Sequence, residues 1–250
     1  MTSFRATSVA IQTPFVAVAL LVGLAASALA DEPPPKPLKI KADLGYVSTA
    51  GNTQVQTLTG TEKVEYKTGF WLFTQNAAAV WGTEKGAETA GRYLAGLRAD
   101  RKFSKRVSLY GVASWDRNVY AAIAREFVED AGLAYHALIP NPHQLDLELG
   151  AGATQRHTTL DQQQNFGNGR AALDYRYYFK EKGYLEAEGV YLSNFQTPDD
   201  YQWTAKAALV APLSNGLAMK IGYNYAYRNE PPADVKKWDS TFAAGVQVTY

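Results

Sequence analysis

From Lys39 onward, apolar residues recur at every second position, separated by small or polar ones. The clearest run is Leu217, Met219, Ile221, Tyr223, Tyr225 and Tyr227, interleaved with Ala218, Lys220, Gly222, Asn224 and Ala226. A second run, Tyr201, Trp203, Ala205, Ala207, Leu209, Ala211 and Leu213, precedes it, and Ser214-Asn215-Gly216 joins the two. Asn-Gly tolerates the positive φ angles of a tight hairpin, so the pair reads as two antiparallel strands. Leu145 to Ala153, Ala171 to Phe179 and Tyr93 to Ala99 repeat the alternation. A period of two places alternate side chains on opposite faces of a sheet.

The pattern predicts about twelve strands, over 39–48, 54–66, 70–82, 92–103, 107–117, 126–138, 144–156, 168–179, 184–195, 201–213, 217–228 and 238–250. Connectors alternate in length. Those at 67–69, 104–106, 139–143, 180–183 and 214–216 are short, and most of the others are longer and polar. An even number of strands of about ten residues, with short turns at one end and longer loops at the other, is the expected form of an antiparallel transmembrane β-barrel. Aromatics concentrate near the predicted strand ends, as in interfacial girdles. Tyr46, Trp81, Tyr93, Trp115, Tyr201, Trp203, Tyr227 and Trp238 fall at the loop end. Tyr66, Phe70, Trp71, Phe103, Tyr177, Phe179 and Tyr250 fall at the turn end.

Two places resist the pattern. Glu62 shares parity with Leu58, Val64 and Tyr66, so it would face lipid; a bulge near Gly60 would shift the register and turn it inward. Strand 107–117 is apolar on both parities, and its faces are not assigned by alternation.

The first thirty residues read as a secretory signal. Arg5 supplies the charged start, Phe15 to Ala25 the apolar stretch, and Ala28-Leu29-Ala30 the cleavage site. Residues 31–38, with Pro33-Pro34-Pro35 and Pro37, form an extended periplasmic lead-in to a barrel over 39–250. The chain carries 25 Lys+Arg against 24 Asp+Glu, and removal of Arg5 with the signal leaves 24 of each. A balanced chain offers no basic surface for nucleic acid. The absence of cysteine excludes disulfides, thiolate metal sites and lipoprotein processing.

In the last strand, Phe242, Ala244, Val246, Val248 and Tyr250 share a face. Gly245, Val248 and Tyr250 match in part the terminal signal read by the barrel-assembly machinery, a transient partner; the position two before the glycine is Ala243 rather than a polar residue. Several segments then resemble the salt-induced outer-membrane protein family, a domain family of unknown function. They are Leu44-Gly45-Tyr46 with Gly51-Asn52-Thr53, Arg92-Tyr93, Gly96 to Arg101, Ala113 to Arg117, Gly132 to Tyr135, Asp174-Tyr175, Asp200-Tyr201, Pro212-Leu213-Ser214 and Glu230-Pro231-Pro232. The resemblance implies a bacterial outer-membrane location, with lipid and lipopolysaccharide as surroundings. It brings no catalytic residues and no cofactor.

Candidate chemistry is sparse. His136, His143 and His157 do not have metal-ligand spacing. His157 precedes Thr158-Thr159, which lacks the serine of a phospholipase His-x-Ser motif, and joining it to Asp161, Asp199 or Asp200 would need a convergent loop site. No catalytic role is expected. The inward parity is more informative. It predicts a lumen lined by Asp43, Arg98, Asp100, Asp146, Glu148, Arg170, Asp174, Arg176, Glu188, Lys206 and Lys220, together with Lys41, Lys63, Glu65, Lys102, Arg156, Glu186 and Arg228. Two readings stay open: a narrow water-filled channel for ions or small solutes, or a salt-bridged plug in a closed structural or envelope-stress barrel. Loop-mediated binding is a third, with Val119 to Ile123 as the apolar loop tip.

Overall fold

The computed structural model describes residues 37–49, 55–84, 87–139, 142–179, 183–232 and 235–250. The expected signal segment and most of the proline-rich lead-in lie outside these residues. Twelve strands follow one another around a closed antiparallel barrel, each paired with its sequence neighbours and β1 with β12. They are β1 (Leu38–Thr49), β2 (Val55–Thr68), β3 (Trp71–Glu84), β4 (Ala87–Lys102), β5 (Val107–Asn118), β6 (Ile123–Leu138), β7 (His143–Thr158), β8 (Gln163–Tyr178), β9 (Tyr184–Asn194), β10 (Tyr201–Ser214), β11 (Leu217–Arg228) and β12 (Trp238–Thr249). All twelve expected strands are present.

Closure gives every strand a neighbour on both sides, as a sheet surrounded by hydrocarbon requires. The register advances by about 16 residues in one circuit. For twelve strands this sets a tilt of roughly 45° and a backbone radius of roughly 12 Å. The exterior carries the large apolar side chains: Leu44, Leu97, Leu133, Leu149 and Phe242 are all more than half exposed. Rings meet at its rims, with Trp203 stacked on Tyr225 and Tyr227, Tyr225 on Trp238, and Trp71 on Phe73.

Three strands begin earlier than alternation predicts. β4 starts at Ala87, β6 at Ile123 and β8 at Gln163; in β4 and β8 the first added residues are polar or small on both parities, and the apolar signal is lost. The backbone ladder continues past the apolar belt; His157 pairs with Gln163, which leaves four residues between β7 and β8. The expected apolar tip is half withdrawn. Val119 and Tyr120 are exposed in a short 3-10 turn, while Ala122 and Ile123 are buried.

No bulge relieves Glu62. The pairing of β2 with β1 and with β3 is unbroken, so Glu62 lies between Ala42 and Ala77 on the outer face and is exposed. The strand without assigned faces resolves cleanly. Ser108, Tyr110, Val112, Ser114 and Asp116 turn inward, opposite Leu109, Gly111, Ala113, Trp115 and Arg117.

The β1–β12 seam is the shortest join. Five residue pairs close it, from Lys41↔Thr249 to Gly45↔Gly245, against twelve pairs between β1 and β2. Backbone bonds between Ile40 and Tyr250 extend it at the turn end. The two glycines are required there: a Cβ on Gly245 would lie 1.9 Å from the Leu44 carbonyl oxygen, and one on Gly45 would lie 2.5 Å from Thr59 Oγ1.

Candidate functional site: an ionic lumen

Alternation gives the inner face of each strand its polar residues, and tilt brings together side chains from strands that are not neighbours. At mid-height Tyr110 of β5 lies across β6 and β7, where Gly132 and Gly150 leave room. A Cβ at Gly150 would fall 2.3 Å from the Tyr110 hydroxyl. Arg98 of β4 and Arg170 of β8 stack over the Tyr110 ring, at 4.6 and 5.4 Å from guanidinium carbon to centroid. Both guanidiniums converge on Glu148 of β7, Arg98 at 2.8 Å. Arg98 also chelates Asp100 with two hydrogen bonds, of 2.7 and 2.8 Å. Above this, Asn168 donates to Asp130 and accepts from Thr154, in a fully buried chain.

The loop end is closed by a second cluster. Arg156 of β7 donates to Glu126 of β6 and, at 3.2 Å, to Asp200 beside β10. Arg228 of β11 reaches the same Glu126 at 3.4 Å and Gln202 at 2.9 Å. β6 and β11 stand five strands apart, close to opposite walls. Two side chains can meet from there only where the cross-section is narrowed. The Arg156, Glu126 and Arg228 side chains are 5%, 6% and 13% exposed.

At the turn end a third cluster braces the seam. Lys220 donates to Asp43 (2.7 Å) and pairs with Glu186 (3.2 Å), while Gln247 donates to the other Asp43 oxygen (2.8 Å). Arg176 pairs with Glu186 at 3.2 Å. Tyr184 donates to Gln247, and Lys41 donates to Tyr184 at 3.1 Å. Elsewhere the lumen is wetter: Lys206 and Glu188 pair at 3.0 Å but are 53% and 42% exposed, and Lys63, in register with Lys41, pairs with Glu65. Asp174 makes no ion pair among the described residues.

His136 forms a chain that residue spacing did not reveal. Its Nε2 lies 3.2 Å from Ser108 Oγ of β5, and its Nδ1 lies 2.6 Å from Asp146 Oδ1 of β7. The order is that of a nucleophile relay. Its exposure is reversed, however: Ser108 is 1% exposed, whereas the Asp146 side chain is 40% exposed. A nucleophile must meet its substrate, so the chain reads as a strap joining three strands. Nor does the loop constellation converge. His157 binds Asp161 and Arg125, while Asp200 turns to Arg156 and Asn194. Among the described residues no group of acids and histidines is placed to hold a metal ion.

The terminal-strand residues sit at the seam. Gly245 faces Gly45, and Val248 and Tyr250 are exposed on the outer side.

An apolar exterior, a closed ladder and an ionic interior define a β-barrel of transmembrane type. The chain belongs to the family described as a protein of unknown function, DUF481, whose model matches residues 42–250. No curated protein matches it. Similar solved structures include the NanC porin, at 8% identity over 85% of this chain and 97% of that one, with a TM-score of 0.49. The translocator domain of the autotransporter NalP from Neisseria meningitidis shares 15% identity over 88% and 90%, at 0.48. An anion-selective porin from Comamonas acidovorans shares 9% over 85% and 98%, at 0.43.

Proposed function

We propose that the protein is a non-enzymatic outer-membrane barrel whose lumen is a narrow, normally occluded conduit for ions or small solutes. Lipid and lipopolysaccharide surround it, and the barrel-assembly machinery, reading Gly245, Val248 and Tyr250, inserts it. The observation that carries the conduit is the contrast within the lumen. Below the loop end, exposed charges of both signs, Lys63, Glu188, Lys206 and Asp146, line the lumen beside the buried Arg98–Glu148–Arg170 cluster, while the loop end is shut by the buried Glu126–Arg156–Arg228 cluster. A lumen built only as a plug would pair and bury its charges throughout, because an unpaired charge in a dry interior is costly. The buried cluster favours the second reading, a closed structural barrel.

Single-channel recording of the refolded chain in a planar bilayer, with boiled protein as control, tests the two. A conduit shows small, infrequent steps in the native chain. Removing the cross-lumen tie with Arg228→Ala increases opening frequency or step size by several-fold. If the folded barrel and the Arg228→Ala variant are both silent, the closed structural reading stands.

A further inference from the structure

Glu62 is an acid at the centre of the apolar belt. On its own strand, Leu58 and Tyr66 lie four residues to either side, and Leu58 is paired with the rim residue Trp81. Glu129 also faces outward, but it stands two residues from Phe127 at the loop-end rim, so its side chain reaches the interface. Glu62 has no such route. On β3, Glu62 pairs with Ala77, and the next outward residue towards the turn end is Gln75, paired with Val64. With strands tilted near 45°, this diagonal places Glu62 and Gln75 at almost the same depth. Neither side chain has a hydrogen-bond or ion-pair partner among the described residues.

Ala42, Gly60, Ala77 and Ala79 leave the Glu62 side of the pair low, while Val64 and Leu97 border Gln75. The barrel does not need the glycine: a Cβ at Gly60 would meet only Leu44 Cδ2, at 3.8 Å. A carboxyl and an amide in hydrocarbon without partners are costly, and acyl chains offer no donor. Small residues around polar ones allow close approach between membrane proteins.

We propose that this notch is the interface between two copies of the chain, related by a two-fold axis parallel to the barrel axis. The inference rests on the membrane-spanning reading. Two parallel barrels in contact under such an axis oppose β2 of one to β3 of the other, at unchanged depth. Each Glu62 carboxyl then accepts from the Gln75 amide of the other copy, and symmetry forms this bond twice. The same contact packs against β1, on the flank beside the shortest seam of the barrel.

The chain has no cysteine, so cross-linking has no background. Glu62→Cys and Gln75→Cys chains are refolded separately, mixed in detergent and reconstituted together into phosphatidylcholine–phosphatidylglycerol vesicles. Mild oxidation follows. The mixture yields a disulfide dimer at least tenfold above Ala207→Cys, on the outer face of β10. It also exceeds either variant alone. Light scattering on the native chain gives two copies, and on Glu62→Leu one, with the barrel still shifting on gels upon boiling. A native chain that floats with the vesicles but is monomeric, or cross-links no better than Ala207→Cys, overturns the dimer and leaves the membrane reading intact. A folded chain that does not float with the vesicles overturns both.

Discussion

Tyr110 shows how one side chain organises a wall of the lumen. Its ring needs two absent side chains, at Gly132 and Gly150, and carries two guanidiniums that share Glu148. Gly150→Ala forces the ring or the Ala131 carbonyl aside and lowers stability by roughly 1–3 kcal/mol, read from urea unfolding in lipid. Glu148→Ala leaves the poorly solvated Arg170 without an ion-pair partner and Arg98 with Asp100 alone, and costs roughly 3–5 kcal/mol in the same assay. Lys206→Ala, at an exposed pair, costs under about 1 kcal/mol. Equal losses for Glu148→Ala and Lys206→Ala would mean that the lumen is uniformly hydrated. Alternation alone identified Glu148 as inward-facing. It could not identify Tyr110, because β5 is apolar on both parities and the glycines that seat its ring lie on other strands.

Elements were legible wherever hydrophobic contrast was high. β11 matches its expected bounds because its outward positions are large and apolar. The early starts of β4 and β8 were hidden because residues such as Glu88, Gln164 and Asn165 give the backbone ladder no side-chain signature. Glu62 was the opposite case. The expected bulge assumed that a charge in the belt must be avoided, whereas the register keeps it outward. At this scale the vulnerable element is the β1–β12 join. Gly245→Ala places a methyl group into the Leu44 carbonyl, and the expected result is a barrel that fails to close. On unboiled gels it runs at the unfolded position, while Gly111→Ala, whose added Cβ meets nothing within 4 Å, keeps the folded position.

The whole molecule is a charged interior with unequal hydration along its length. Its loop end is tied across by Arg228 and Glu126, its turn end ties Asp43 to Lys220 and Gln247, and between them the exposed Lys206–Glu188 pair shares the lumen with the buried Arg98–Glu148–Arg170 cluster. None of the ties between distant strands was visible in sequence, because parity assigns a face and not a partner. They fix a simple ordering of phenotypes. Substitutions at the loop-end cluster change conductance first, and those at the turn-end cluster change stability first. Paired bilayer recordings and urea midpoints for Arg228→Ala and Asp43→Ala check this, and a reversed order would place the constriction at the other end.

The brevity of the seam has a consequence in time. Every other pairing joins strands adjacent in sequence, whereas the contact of Gln247 with Asp43 spans 204 residues. Loop closure over that distance is slow and is rewarded last. The chain therefore assembles as a curling sheet of hairpins with two unsatisfied edges, and becomes a barrel in one late step. Hydrogen exchange pulsed during refolding should find the amides of β1 and β12 facing each other protected after all others. Until then both edges are free to pair with another strand, so the interval before closure is when the nascent protein is most open to capture.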